Sequence, residues 1–165
     1  MSIVIFGDSF TFPEGNAATN RVYTYAKGLN ENGVQTHVIC SANHYKMPDD
    51  GIINEIPYYN PFNQQIRSNI FVVRRWKEFT KNINIISLIK RINDKEKVNT
   101  IIVYTDQLLT ILIAWFLAKL CKARLVMECN EHPLKPFQKN AINRTFGLIV
   151  FKIESLFLDG VFCIS

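Results

Sequence analysis

Three stretches of this 165-residue chain carry groups able to do chemistry, and each follows a short apolar run. The first is Phe12-Pro-Glu-Gly-Asn-Ala-Ala-Thr-Asn20, with Arg21 directly after it. Gly15 lets the backbone approach a ligand closely. Asn16 is placed to cap a helix. The start of that helix offers unpaired N–H groups to an anion. Asn20 and Arg21 fall in its first turns, where Arg21 either pairs with a phosphate or stands on the surface. The second stretch is Thr105-Asp106-Gln107, and the third is Asn130-Glu-His-Pro-Leu-Lys135. The chain has no Gly-Lys phosphate loop and no GxGxxG, so nucleotide hydrolysis of that type and dinucleotide redox chemistry have no support. Cys40 and His44 lie close in sequence without a second ligand pair, which argues against zinc.

The elements that must position these stretches follow from apolar periodicity. Ile3-Val-Ile-Phe6 reads as a strand. Val22, Tyr25, Ala26 and Leu29 share one face of the helix behind Asn16, and Gly33 ends it. Thr36-His-Val-Ile-Cys40 is a second strand, so the chain opens with a βαβ unit. Ile52-Ile-Asn-Glu-Ile56 reads as one short strand, and Pro57 to Gln65 as an irregular excursion. Phe71-Val-Val73 is either a short strand or a helix start. Trp76, Phe79, Ile83, Ile86, Ile89 and Ile92 recur at helical spacing over Trp76 to Asn93. Thr100 to Thr105 has the β-branched run of a central parallel strand, and Asp106 is the expected cap of the next helix, about Gln107 to Cys121. That helix is apolar nearly all round but falls short of the roughly 18 residues of a membrane span, so it is expected to pack on the sheet. Arg124 to Glu128 is a strand. A long helix over Lys139 to Leu158 carries Ile142, Phe146, Ile149, Ile153 and Leu156 on one face, and Val161 to Ile164 is the last strand. Such alternation predicts a Rossmann-like, doubly wound, mostly parallel sheet with helices on both faces, as a single domain over 1–165. Ligands of such sheets bind at the carboxyl ends of the strands, where all three stretches lie.

The hydrophobic content of 48% fits a globular core. The run at Ile3 is too short for a signal peptide and has no basic segment before it. Cys40, Cys121, Cys129 and Cys163 are scattered and expected to be reduced, which together with the missing leader points to the cytoplasm. The net charge of +5 is concentrated: Arg67 to Lys97 holds nine Lys or Arg against three acids, a surplus of six, so the remainder is close to neutral. This region is either a solvated helix face or a surface for an anionic partner. It has no glycine, and Phe71, Trp76 and Phe79 suit core or interface anchors better than a base-stacking platform, so nucleic acid is not expected.

Phe12 to Arg21, then Tyr25-Ala-Lys-Gly-Leu29, then Asn32-Gly-Val-Gln-Thr-His-Val-Ile39, resembles the amino-terminal start of family 4 glycosyltransferases. Asp159-Gly-Val-Phe-Cys-Ile-Ser165 resembles that family's strand before the crossing to its second domain, and Glu128-Cys-Asn-Glu-His-Pro133 its loop after the preceding strand. The resemblance implies one half of a GT-B fold: the acceptor-side domain of a retaining enzyme that moves a sugar from a nucleotide-sugar donor to a glycan or lipid-linked acceptor, as in bacterial surface polysaccharide synthesis. It implies no cofactor beyond that donor. It places Gly15, Asn16, Asn20 and Arg21 near phosphate and acceptor. Glu131 and His132 become the candidate catalytic pair, with His132 positioning or deprotonating an acceptor hydroxyl. The family's donor-binding carboxy-terminal domain has no counterpart in these residues. The expectation is therefore a truncated product or an excised domain, inactive alone, whose partner is the missing domain.

Two other readings compete. Gly7-Asp-Ser-Phe-Thr-Phe12 resembles the first block of SGNH-type hydrolases, which would make Ser9 a nucleophile. Such a serine needs a histidine base, but the residue three before His132 is Cys129 where that family has Asp. The third reading is a non-catalytic module that rests Arg67–Lys97 on an anionic membrane, peripheral on its inner face.

Overall fold

The computed structural model describes residues 1–45, 49–62, 64–129 and 141–163, without the side chains of 141–144 and 146. The described residues form seven strands and four helices in the order β1 (Ser2–Gly7), α1 (Ala17–Glu31), β2 (Gln35–Cys40), β3 (Gly51–Ile53), β4 (Ile56–Tyr59), α2 (Phe71–Lys95), β5 (Val98–Tyr104), α3 (Leu108–Cys121), β6 (Arg124–Cys129), α4 (Ala141–Ser155) and β7 (Gly160–Cys163). The strands line up as β3-β4-β2-β1-β5-β6-β7. Every pairing is parallel except β3 with β4. This is the expected Rossmann-like, doubly wound α/β fold.

β1 is buried along its whole length, and its alternation explains the two layers. Val4 and Phe6 point into a core shared with Ile85, Ile89, Ile111 and Leu117 of α2 and α3. Ile5 points the other way, to Val22 and Ala26 of α1. From β1 the chain first moves outward through β2. It later returns to place β5 on the opposite side of β1, so the switch in direction falls between β1 and β5. A crevice at the carboxyl ends of these two strands is the usual ligand position in such a sheet.

Several local expectations need correction. Residues 52–56 form two strands, not one: Asn54 and Glu55 both take positive φ (48° and 67°) and close a two-residue hairpin with Ile53 opposite Ile56. β4 then runs through Tyr59, inside the supposed irregular excursion. Residues 71–73 begin α2, which has no side-chain cap at Ile70 to announce its start. The helical stripe of α2 splits. Ile89 and Ile92 join the core, while Trp76, Phe79 and Ile83 are exposed. Asp106 does not cap α3. Gln107 occupies the N-cap position without a side-chain bond, and Thr105 Oγ1 accepts from Gln107 N at 3.0 Å. α3 is not buried all round, since Leu109, Phe116 and Leu120 face solvent, and in α4 Ile149 and Ile153 do the same. All four cysteines are free thiols, Cys163 being exposed.

Candidate functional site

The loop after β1 is built to be rigid. Gly7 is obligatory for close packing, because a Cβ there would lie 2.0 Å from the carbonyl oxygen of Tyr104 on β5. Phe10 and Phe12 are buried. Phe10 meets the Tyr104 ring edge-on at 5.8 Å, and Phe12 packs on Tyr58. The backbone between them is tied down: Cys40 Sγ donates to Phe10 O at 3.0 Å and Asn60 Nδ2 to Phe12 O at 3.2 Å. Thr19 Oγ1 donates to Thr11 O at 2.6 Å and Thr11 Oγ1 to Glu14 O at 2.7 Å. Gly15 sits inside this clasp, where a Cβ would come within 2.1 Å of Thr11 Oγ1 and 2.3 Å of Thr19 Oγ1. Asn16 is the expected N-cap, its Oδ1 accepting from Ala18 N at 3.0 Å and Thr19 N at 3.4 Å. Its oxygen is thus spent on the helix. Asn20 is exposed in the first turn of α1.

Arg21 does not stand alone on the surface. Its guanidinium donates to Glu128 Oε1 at 3.3 Å and to the Tyr104 hydroxyl at 3.5 Å. The Tyr25 hydroxyl, one helical turn on, donates to the same Glu128 oxygen at 3.4 Å. Three elements therefore converge on one carboxylate: α1 with Arg21 and Tyr25, β5 with Tyr104, and β6 with Glu128. The Glu128 side chain is fully buried whereas that of Arg21 is 33% exposed. Among the described residues Oε1 has two donors and Oε2 has none. Burial pushes the Glu128 carboxyl above the usual range, with Arg21 and the Tyr25 hydrogen bond opposing the shift. Burial, and next the Glu128 charge, push the Tyr25 phenol up as well. A buried carboxylate with a raised pKa and one oxygen without a described donor has the chemistry to accept from a hydroxyl or to take its proton, and the exposed part of Arg21 is suited to an anion.

On the other side of β1 the polar groups are satisfied. Asp8 accepts from Thr105 Oγ1 and Thr110 Oγ1, both at 2.6 Å. Thr110 lies in the first turn of α3, so it is Asp8, just past β1, that brings a carboxylate to the helix start where Asp106 was the expected cap. Lys81 of α2 is buried and donates to Ser41 O and Asn43 Oδ1, both at 2.7 Å. Burial pulls its pKa down, against the opposing pull of Asp8. Ser9 bonds only Asp8, at 3.4 Å, and has no histidine partner among the described residues. His37 is occupied far away, bonded to Glu96 Oε2 at 3.1 Å near the amino ends of the strands.

The structure thus brings Gly15, Asn16, Asn20 and Arg21 to one end of α1 above the carboxyl edge. Glu131 and His132 lie outside the described residues. Glu128, Tyr25, Tyr104, Asp8 and Lys81 were not singled out by sequence reasoning. Glu128 had a usable signal, as the one acid in a strand otherwise built of apolar residues after Arg124. No described group of His, Cys, Asp and Glu could hold a metal ion.

No protein-family model matches the chain, and no curated protein is significantly similar in sequence. Among solved structures it is similar to the sucrose-phosphate synthase of Thermosynechococcus elongatus, a GT-B glycosyltransferase, with a TM-score of 0.63 at 12% identity over 97% of this chain. The match covers 41% of that protein, so the chain spans about two fifths of its length. The seven-stranded, mostly parallel sheet is thus a Rossmann-like layer of the kind that a GT-B glycosyltransferase contains.

Proposed function

We propose that this chain forms the acceptor-side wall of a sugar-transfer site of the GT-B type. Its work would be to hold an acceptor hydroxyl while a second α/β domain presents a nucleotide-sugar donor and the sugar moves with retention of configuration. The observation that carries the reading is the Arg21–Tyr25–Tyr104–Glu128 cluster, set at the carboxyl edge of the sheet. A hydroxyl donating to Glu128 Oε2 would supply the partner that this buried oxygen lacks among the described residues. A phosphate arriving over α1 would meet the open side of Arg21. Glycan and lipid-linked acceptors both offer such hydroxyls, and bacterial surface polysaccharide is the setting that the sequence resemblance suggests. Glu131 and His132, which follow β6 in the sequence and lie outside the described residues, belong to the same proposal.

Amide chemical-shift titrations with nucleotide sugars and with oligosaccharides test it. Weak, millimolar binding that perturbs residues 11–25, 104–106 and 128 is expected, and Glu128→Gln should remove the oligosaccharide shifts. Micromolar binding of a nucleotide sugar by this chain alone would overturn the half-site, as would shifts confined to other regions.

A further inference from the structure

The side of α2 that faces the sheet changes character along the helix. Ile85, Leu88, Ile89 and Ile92 are buried on it, and Lys81 is buried one turn before them. At about 100° per residue, Phe71, Arg74, Arg75 and Glu78 continue the same side toward the helix start. Lys81 marks where the sheet ends beneath the helix, since its ammonium donates to Ser41 O, just past the carboxyl end of β2, at 2.7 Å. Arg74 stands two turns earlier, about 10 Å further along the axis. The first turns of α2 therefore overhang the carboxyl edge of the sheet. The side that is apolar below that edge is basic above it.

The segment after β2 closes this overhang into a cleft. Asn43 and Tyr45 line it together with Arg67, Arg74, Arg75 and Glu78, around a volume of about 460 Å³. That size falls within the range of small-molecule sites, about 300–1,000 Å³. The walls are held in place. Asn43 Oδ1 accepts from Lys81 at 2.7 Å, and the Tyr45 ring meets Phe62 edge-on at 5.4 Å. The guanidiniums of Arg74 and Arg75 lie 5.9 and 5.3 Å from the ring centre of Phe71, which also lines the cleft. Three arginines face one acid here, a surplus of two positive charges. Arg75 pairs with that acid, Glu78, at 2.6 Å, while Arg67 and Arg74 form no ion pair with a described residue. Asn43 uses its oxygen on Lys81, so what it can offer a ligand is N–H.

We propose that this cleft is a binding site for a phosphate dianion carried on a small phosphate monoester. Like charges that share one cavity without a described counter-ion repel each other, and a dianion cancels the surplus. A monocarboxylate would leave one cation uncompensated. The planar forks of Arg67 and Arg74 match phosphate oxygens two at a time, and the Asn43 amide adds neutral donors. A phosphate group by itself fills a minor part of the volume, so there is space for the body of an ester, with Phe71 and Tyr45 as its apolar lining. The cleft lies on the α2 side of the sheet, whereas Arg21 and Tyr25 lie on the α1 side, and both sites open at the carboxyl edge. If the sugar-transfer reading holds, a phosphorylated acceptor becomes the favoured substrate class, a step that rests on that reading while the phosphate site does not.

Amide chemical-shift titrations at low ionic strength test the site, with inorganic phosphate, phenyl phosphate, acetate and phenol as ligands. Inorganic phosphate should bind saturably and move the amides of residues 43–45 and 67–78. Phenyl phosphate should bind more tightly, and acetate roughly tenfold more weakly than phosphate. Arg67→Gln and Arg74→Gln should each weaken phosphate about tenfold, as expected for one charge-assisted contact. Arg74→Lys keeps the charge without the fork and should cost less than Arg74→Gln. Lys90→Gln removes an equal charge from the exposed far half of α2 and should change nothing. Absence of saturable phosphate binding, shifts confined to other residues, or acetate as tight as phosphate would each overturn the proposal. So would an equal loss in Lys90→Gln, which would make the attraction one of diffuse charge. Phenyl phosphate no tighter than inorganic phosphate, or phenol as tight as phenyl phosphate, would overturn the ester. Phosphate shifts in the cleft without oligosaccharide shifts at Glu128 would keep this site and remove the transferase reading; the reverse result would do the opposite.

Discussion

Removing Arg21 should destabilise this protein far more than neutralising Glu128, although the two share one ion pair. The reason is unequal burial. Glu128 is fully enclosed and Arg21 is one-third exposed. At 3.3 Å and an effective dielectric of about 20, the attraction is about 5 kcal/mol. Partial exposure of Arg21 screens it, leaving about 2–3 kcal/mol of net worth. Arg21→Ala strands an uncompensated buried carboxylate and should cost that amount at pH 7 in urea unfolding. Glu128→Gln leaves only a guanidinium that can turn to water, and should cost less than about 1 kcal/mol. The pH dependence follows with its sign. The folded pKa of Glu128 is raised, so the folded state holds more protons than the unfolded one between the ordinary carboxylate pKa and the raised value. Stability therefore falls as pH rises through that window. Glu128→Gln should flatten this slope. The penalty of Arg21→Ala should shrink toward acid, where Glu128 is protonated in both proteins. Most telling is the double variant, which should be more stable than Arg21→Ala alone because it no longer buries a charge. A double variant less stable than Arg21→Ala, or an Arg21→Ala penalty that ignores pH, would refute the argument.

Three further outcomes are expected. Gly15→Ala should cost about 1–3 kcal/mol in the same assay, since its Cβ would overlap both hydroxyls of the Thr11–Thr19 clasp; a change under about 0.5 kcal/mol would mean that the loop yields. Asn16→Ala should cost about 1 kcal/mol through loss of the α1 cap, whereas Asn16→Asp should cost almost nothing. Ser9→Ala should leave any p-nitrophenyl acetate turnover at its background level, because no described histidine reaches Ser9; a serine-dependent rate would restore the hydrolase reading.

Features that depend on neighbours in sequence were legible. The βαβ opening, the Asn16 cap and Gly33 at φ 75° depend on residues a few positions apart, and the parallel sheet follows from β-branched runs alternating with helical ones. Apart from the Asn54-Glu55 hairpin, whose two residues are not the glycine-containing pair that signals such a turn, what failed depended on contacts between distant residues. Asp106 looked like the cap of α3 because it stands beside it, but Asp8 arrives there across 102 residues. Apolar spacing placed α2 correctly as a helix, yet it could not tell the buried stripe of Ile85, Ile89 and Ile92 from the exposed one of Trp76, Phe79 and Ile83. Both have helical periodicity, and only the position of the sheet separates them. The Arg21–Glu128 pair spans 107 residues, so sequence could offer each partner alone but not their meeting.

Hydrogen-bond saturation separates the structural polar groups of this protein from those open to chemistry better than residue type does. Asp8 and Glu128 are both carboxylates at the carboxyl edge of the same sheet, one just past β1 and one on β6. Asp8 has a hydroxyl on each oxygen at 2.6 Å, and these bonds fasten the chain just past β1 to the end of β5 through Thr105 and to α3 through Thr110. Adding a ligand there would mean breaking one of them, at a cost of about 1.5–3 kcal/mol for a bond to a charged group. Among the described residues Glu128 has both donors on one oxygen, at 3.3 and 3.4 Å, and none on the other. A hydroxyl there adds a bond without removing one, and it relieves the desolvation that raises the pKa. The same test ranks the cations. Lys81 is buried, with two of its three donors bonded at 2.7 Å, and ties α2 to the end of β2. Arg21 makes long bonds of 3.3 and 3.5 Å and keeps a third of its side chain in solvent. A phosphate could therefore recruit Arg21 at little structural cost. Doing so would withdraw the charge that stabilises ionised Glu128, so anion binding at Arg21 should raise the Glu128 pKa further and favour proton uptake at Oε2.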